Sequence, residues 1–108
     1  MDVLNEYEVF YKRGKDEIEI TIEIDMEEYG KSFSDDLFHL DTGEYPPSVI
    51  KSHINEIKLR YLEGEIKRQV GDNKIKIGKR DLKALQKEVD EDFESYQEEI
   101  TVSYVEDD

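Results

Sequence analysis

The ten residues Asp16–Asp25, DEIEITIEID, place isoleucine at 18, 20, 22 and 24 and a polar residue at every position between. A strict period of two gathers its apolar residues on one side only in an extended strand, whose successive side chains point to opposite faces. The preceding YEVFY alternates in the same way, and RGKD lies between the two runs. Gly14 accepts the positive φ required at the first central position of a type II′ turn, so Asn5–Asp25 reads as a β-hairpin turning at Gly14–Lys15. This turn pairs Arg13 with Asp16, Lys12 with Glu17, Val9 with Ile20 and Tyr7 with Ile22. Tyr7, Val9, Tyr11, Ile18, Ile20, Ile22 and Ile24 then share one face, which belongs on a core.

The opposite face carries Glu6, Glu8, Glu17, Glu19, Glu23 and Asp25, with Phe10 among them. Glu6 falls opposite Glu23, and like charges facing each other across a sheet weaken it. Stability alone does not account for such a face.

The chain of 108 residues has the length of a single domain, and no internal repeat is apparent in it. Charged residues make up 41% of it, a level that raises the question of disorder. Leu, Ile, Val and Phe number 29 of the 108 residues and recur at regular periods, so the chain has the means to form a core. Cysteine is absent, which excludes disulfides and thiolate metal sites. MDVLNEYEVF has no basic region followed by an apolar block, so no signal peptide is expected. No uncharged run approaches the ~20 residues of a membrane span, and a cytoplasmic protein is expected. The net charge of −14 is segregated: residues 1–45 hold 14 acids and 4 bases, 46–87 hold 5 acids and 11 bases, and 88–108 hold 10 acids and no base.

Beyond the hairpin, Met26–Tyr45 reads as a loop-rich connection, with SDD and DTGEYPP as turn or cap signals and DDLFHL as a short helical turn or strand. Pro46 and Pro47 suit a helix start, and Ile50, Ile54, Ile57 and Tyr61 follow at spacings of four, three and four. Gly64 is the expected end of that helix. Residues 65–78 read as a second hairpin, EIKRQV and KIKI around GDN. Helix continuing to Val70 is the alternative, because Leu59, Leu62, Ile66 and Val70 keep a helical period. Asp81 is placed to cap a helix bearing Leu82, Leu85, Val89, Phe93 and Tyr96. The exposed side of that helix changes from basic (Lys79, Arg80, Lys83, Lys87) to acidic (Glu88, Asp90, Glu91, Asp92, Glu94), the reverse of what the helix dipole favours. EITVSYVEDD alternates like an edge strand through Ile100, Val102 and Tyr104. The expected fold is therefore α+β: an antiparallel sheet of the N-terminal hairpin and a C-terminal strand, covered on one face by two helices.

Catalytic signatures are missing. His39, with Asp41 nearby, and His53 have no accompanying nucleophile spacing, HExxH or phosphate loop. The DTG of Asp41–Gly43 lacks the flanking apolar strands of an aspartic protease, and no EF-hand spacing occurs. No enzyme, cofactor or metal is expected. The bases of residues 46–87 have no interleaved aromatic platform for nucleic acid. They read as offsetting acidic segments within the fold or within a homodimer, without direct nucleic-acid binding.

Alternate residues on a strand lie ~6.6–6.8 Å apart. Successive phosphates along one DNA strand lie about 6–7 Å apart, since the backbone winds around its 3.4 Å axial rise. Glu17, Glu19, Glu23 and Asp25, with a second row from Glu6 and Glu8, set out carboxylates at phosphate-like intervals. Asp35 and Asp36, and Glu88, Glu91, Asp92 and Glu94 on the last helix, are candidates to extend that surface toward a basic, DNA-binding partner. A charged outer face also serves to keep a small sheet soluble and to block edge pairing. That plainer role is the commoner one among acidic proteins, and the strand periodicity, the like-charge pairing and the acidic blocks at both ends narrow the gap to binding.

With its small size, extreme acidity, lack of cysteine and carboxylate-lined strands and helices, the chain resembles the DNA-mimic inhibitors encoded by bacteriophages. Its Lys/Glu/Ile-rich usage is similar to that of phages of low-GC Gram-positive hosts, and in particular to the HU-inhibiting host-takeover proteins of SPO1-type Bacillus phages. The resemblance implies occupancy of the DNA-binding surface of the nucleoid protein HU. It carries over no individual contact residue, and the basic middle segment departs from the most uniformly acidic mimics. The competing expectation is an interaction module of another kind, an enzyme inhibitor, adaptor or antitoxin-like protein.

Overall fold

The computed structural model describes the backbone of residues 4–42 and 45–106, and side chains over 4–34 and 45–99. Five elements follow in order: β1 (Leu4–Arg13), β2 (Asp16–Asp25), α1 (Met26–Thr42), α2 (Pro47–Val70) and α3 (Lys79–Glu106). The fold is α+β, a two-stranded antiparallel sheet with three helices.

The hairpin has the register that its alternation demands: Arg13 faces Asp16, Val9 faces Ile20, Tyr7 faces Ile22 and Glu6 faces Glu23. Gly14 turns the chain at φ +66°, and no other residue than glycine takes a positive φ among those described. Tyr7, Val9, Tyr11, Ile22 and Ile24 are buried, while Ile18 and Ile20, nearer the turn, are partly so. The helices cover this inner face. Met26, Tyr29 and Phe33 of α1, Ile50, Ile54, Leu62 and Ile66 of α2, and Leu82, Leu85 and Val89 of α3 complete one core. Two tyrosines reach out of it to α3. The Tyr7 hydroxyl donates to Asp92 Oδ2 at 2.6 Å and the Tyr29 hydroxyl to Asp90 Oδ1 at 2.6 Å. Burial first, and the carboxylate partner second, push both tyrosine pKa values well above the ordinary range.

Residues 26–42 form a helix where the turn signals predicted a loop. Asp25 nucleates it: its Oδ1 accepts the Glu27 and Glu28 amides at 2.9 and 3.2 Å, the geometry of a helix N-cap. Met26, Tyr29 and Phe33 then keep a helical spacing. Ser34 of the SDD turn signal donates instead to the Lys31 carbonyl of its own helix, as Ser32 does to that of Tyr29.

The expected second hairpin at 65–78 is also corrected. Helix α2 runs through Gly64 to Val70, because Leu62 and Ile66 extend its buried stripe. GDN is its C-terminal cap, with Gly71 left-handed at φ +80° and its N–H donating to the Lys67 carbonyl at 2.9 Å. KIKI still meets the sheet at one point, where Lys12 and Lys76 exchange backbone hydrogen bonds of 2.9 and 3.3 Å at the edge of β1. Ile75 beside it is buried.

The C-terminal strand is absent, and α3 continues as helix to Glu106. Tyr96, Ile100 and Tyr104 recur every four residues, so a helical period underlies the alternation that read as a strand. The sheet consequently has two strands and the helices number three. Helix α3 starts at Lys79, which puts Asp81 in its first turn, inside the helix it was expected to cap.

Gly64, inside α2, and Gly71, its C-cap, should respond to alanine in opposite directions. Gly64 sits in a helix interior with open space around it, so Gly64→Ala should stabilise the protein by ~0.5–1 kcal/mol. Gly71 also has open space but a left-handed backbone, so Gly71→Ala should destabilise by ~1–2 kcal/mol. Urea denaturation of both variants measures the two signs.

Candidate protein-binding surface

The side chains of β1 and β2 that point away from the core form the outer face of the hairpin. Glu6, Glu8, Phe10 and Lys12 come from β1, and Glu17, Glu19, Thr21 and Glu23 from β2; all are exposed. Cross-strand partners are Glu6 with Glu23, Glu8 with Thr21, Phe10 with Glu19, and Lys12 with Glu17. Five carboxylates therefore share this face with one lysine, at the turn end. No helix covers them, because all three helices pack on the other side of a sheet only two strands wide.

Crowding of like charge is visible between the strands. Glu8 and Glu19 lie diagonally across the pair, and the Glu8 carboxyl, within hydrogen-bond reach, holds the Glu19 pKa above its ordinary value; direct charge repulsion adds to the shift.

The open edge of β2 is braced where the acidic face is densest. The Glu23 N–H donates to Gln69 Oε1 at 2.9 Å, and Gln69 Nε2 donates back to the Glu23 carbonyl at 2.7 Å. A side-chain amide thus takes the place of a neighbouring strand and fixes β2 against the last turns of α2. Gln69 also donates to Glu65 at 3.2 Å, and Glu65 pairs with Arg68 at 2.6 Å. Sequence reasoning missed Gln69, whose role follows only once α2 is known to continue past Gly64. At the α1 end, burial and then the charges of Glu65, Glu28 and Asp25 push the Tyr61 pKa up to about 12.

The predicted site residues separate into three groups. Glu6, Glu8, Glu17, Glu19 and Glu23 share the outer face. Asp25 adjoins it, but its carboxylate is half-buried and bound to the amides of α1. Asp35 and Asp36 belong to α1, and their side chains lie outside the described residues, as do those of His39 and Asp41.

Glu88, Glu91, Asp92 and Glu94 belong to the opposite layer and do not extend the hairpin face. Asp92 is half-buried and holds Tyr7, whose hydroxyl also feels the charge of Glu88. Glu91 and Glu94 instead line an open groove of about 320 Å³ on α3, with Lys83 and Lys87.

The basic segment partly offsets neighbouring acids. Lys58 meets Asp90 of the acidic C-terminal block at 3.1 Å and Lys67 meets Glu63 within its own helix at 2.9 Å, whereas the 3.3 Å pair of Arg13 with Asp72 joins a hairpin base to an acid of the segment. His53 is exposed on α2. Among the described residues no three His, Asp or Glu side chains are grouped to hold a metal ion, and no helix is long and apolar enough to cross a membrane.

No protein-family model, curated protein or solved structure matches the chain.

The Glu8–Glu19 contact predicts a pH dependence of definite sign. A carboxyl whose folded pKa lies above its unfolded value weakens the fold when ionised. The hairpin should therefore gain stability as pH falls through the folded pKa of Glu19. Glu8→Gln should return the Glu19 titration toward the ordinary glutamate range in an NMR carboxyl titration, and should remove its share of that pH dependence.

Proposed function

We propose that the outer face of the hairpin docks into the phosphate-binding groove of a basic DNA-binding protein and inhibits it by excluding DNA. The nucleoid protein HU is the partner implied by the chain's resemblance to phage DNA mimics, and the bacterial cytoplasm is then the compartment. One observation carries this reading: five exposed glutamates in two antiparallel rows, uncovered by any helix and accompanied by a single lysine. Alternate strand positions separate charges by ~6.6–6.8 Å, close to the phosphate repeat, so cations arranged for a DNA strand meet carboxylates at matching intervals. No bond is made or broken, and no cofactor is involved.

Binding of this kind releases counter-ions and is steered by long-range attraction, so it weakens steeply with salt. Competition against a fluorescent DNA duplex on purified HU tests it. The wild-type chain should displace the duplex, and the Glu19→Lys/Glu23→Lys variant should need at least about tenfold more protein, the equivalent of ~1.4 kcal/mol. Circular dichroism should show the variant still folded, because both side chains are exposed. Equal competition by wild type and variant removes the outer face from the mechanism.

Phe10 favours a second reading. It is 42% exposed in the middle of the acidic rows, an apolar anchor that a phosphate mimic does not require. A partner that docks by burying Phe10 would make this chain an inhibitor or adaptor of another class. Phe10→Ala should then weaken binding to a captured partner by about 2 kcal/mol or more, with little dependence on salt.

A further inference from the structure

Helix α3 carries a second charged surface that the proposed function leaves unused. Arg80, Lys83, Lys87, Glu91, Glu94 and Glu98 follow at spacings of three, four, four, three and four, and all six are exposed. At 100° per residue they form one stripe, on the side of α3 opposite its core residues Leu82, Leu85 and Val89. The first three are basic and the last three acidic. None of the six side chains makes an ion pair among the described residues.

This order works against its own helix. Arg80 stands in the first turn of α3, where the helix dipole disfavours a cation, while the other five charges lie beyond the reach of either helix end. The one i,i+4 opposite-charge pair along the stripe, Lys87 before Glu91, has the less favourable orientation. A stripe kept only for solubility has no reason to be sorted in this way.

Antiparallel juxtaposition with an identical helix gives every charge of the stripe an opposite partner. A two-fold axis near residue 89 places Lys87 opposite Glu91, Lys83 opposite Glu94, and Arg80 opposite Glu98, each pair occurring twice. The basic run 80–87 of one helix then lies beside the acidic run 91–98 of the other. Ala84 and Ser95, which flank the stripe, also fall opposite each other and keep the helices free to approach. An open groove lined by Lys83, Gln86, Lys87, Asp90, Glu91 and Glu94 borders this seam, with its Gln86 and Asp90 side turned toward α2.

We propose that α3 is an interface between two copies of this chain, closed by its self-complementary charge stripe about a two-fold axis. A stripe that is half cationic and half anionic matches its own reverse better than it matches a uniformly charged surface. The second copy is therefore the occupant that it specifies. The pairing does not depend on the function proposed for the hairpin, which lies in the other layer.

Sedimentation equilibrium of the whole chain tests the pairing. The net charge of −14 opposes association, so the first measurement belongs at ~100 mM salt. There the Debye length of ~10 Å screens distant acidic faces more than contacts across a seam. A dimer is expected that dissociates toward ~1 M salt, where that length falls to ~3 Å. Lys83→Glu/Lys87→Glu and Glu91→Lys/Glu94→Lys should each be a folded monomer by the same measurement and by circular dichroism. Mixed in equal amounts, these two variants should form a heterodimer, since every reversed charge then meets its opposite. A wild-type chain that is monomeric up to ~1 mM overturns the proposal. So does a dimer that either double variant leaves intact, or a mixture of variants that stays monomeric.

Discussion

A two-stranded sheet has one face to give to a core, and here that face decides the rest of the structure. Tyr7, Val9, Tyr11, Ile22 and Ile24 have no neighbouring strands to hide behind, so helices must cover them. Asp25 begins this at once by ending β2 and capping α1 within a single residue. The sheet edges are closed sparingly: the Gln69 amide meets β2 at Glu23, and Lys76 meets β1 at Lys12. Such closures limit edge-to-edge aggregation without adding a strand over the outer face.

Covering the inner face also sorts the acids of α3. Residues 90–92 are three consecutive carboxylates, yet the helical turn of 100° per residue sends them in different directions. Asp92 turns toward β1 and takes the Tyr7 hydroxyl. Asp90 turns toward α1 and α2, taking the Tyr29 hydroxyl and Lys58, whose ammonium also lies 4.7 Å from the Phe33 ring centre. Glu91 is left facing solvent. An acidic run that looks uniform in sequence is thus divided between fastening the core and presenting charge.

The hairpin was legible residue by residue because strand alternation, turn chemistry and opposite charges near the turn all specify one register. The helices were legible only where an apolar stripe stood clear of contrary signals. In α1, the SDD and DTGEYPP runs imitate turns, and the Asp25 cap that starts the helix reads equally well as one more acid of the outer face. In α2, Gly64 imitates a helix end, although the buried Leu62 and Ile66 on either side outweigh its unfavourable propensity. At the C-terminus, β-branched residues at every second position obscure a spacing of four. In α2 a local preference worth about 1 kcal/mol thus yields to tertiary burial, and in α1 turn signals yield to a cap.

The same limit applies to the candidate surface. Periodicity identified Glu6, Glu8, Glu17, Glu19 and Glu23 as one face, since a strand's two sides follow from parity alone. It did not say whether the acids of α3 would join that face, because this depends on which side of the sheet the helices occupy. With all three helices on the inner side, the hairpin rows and the α3 stripe look outward from different layers. Pairing through α3 would therefore leave both hairpin faces uncovered and hold two sets of carboxylate rows in one particle. A basic groove of limited length engages one set, whereas an extended or repeated basic surface engages both and gains from the link between them. The division of charge between two layers would let one small chain keep the proposed self-association and partner binding from competing.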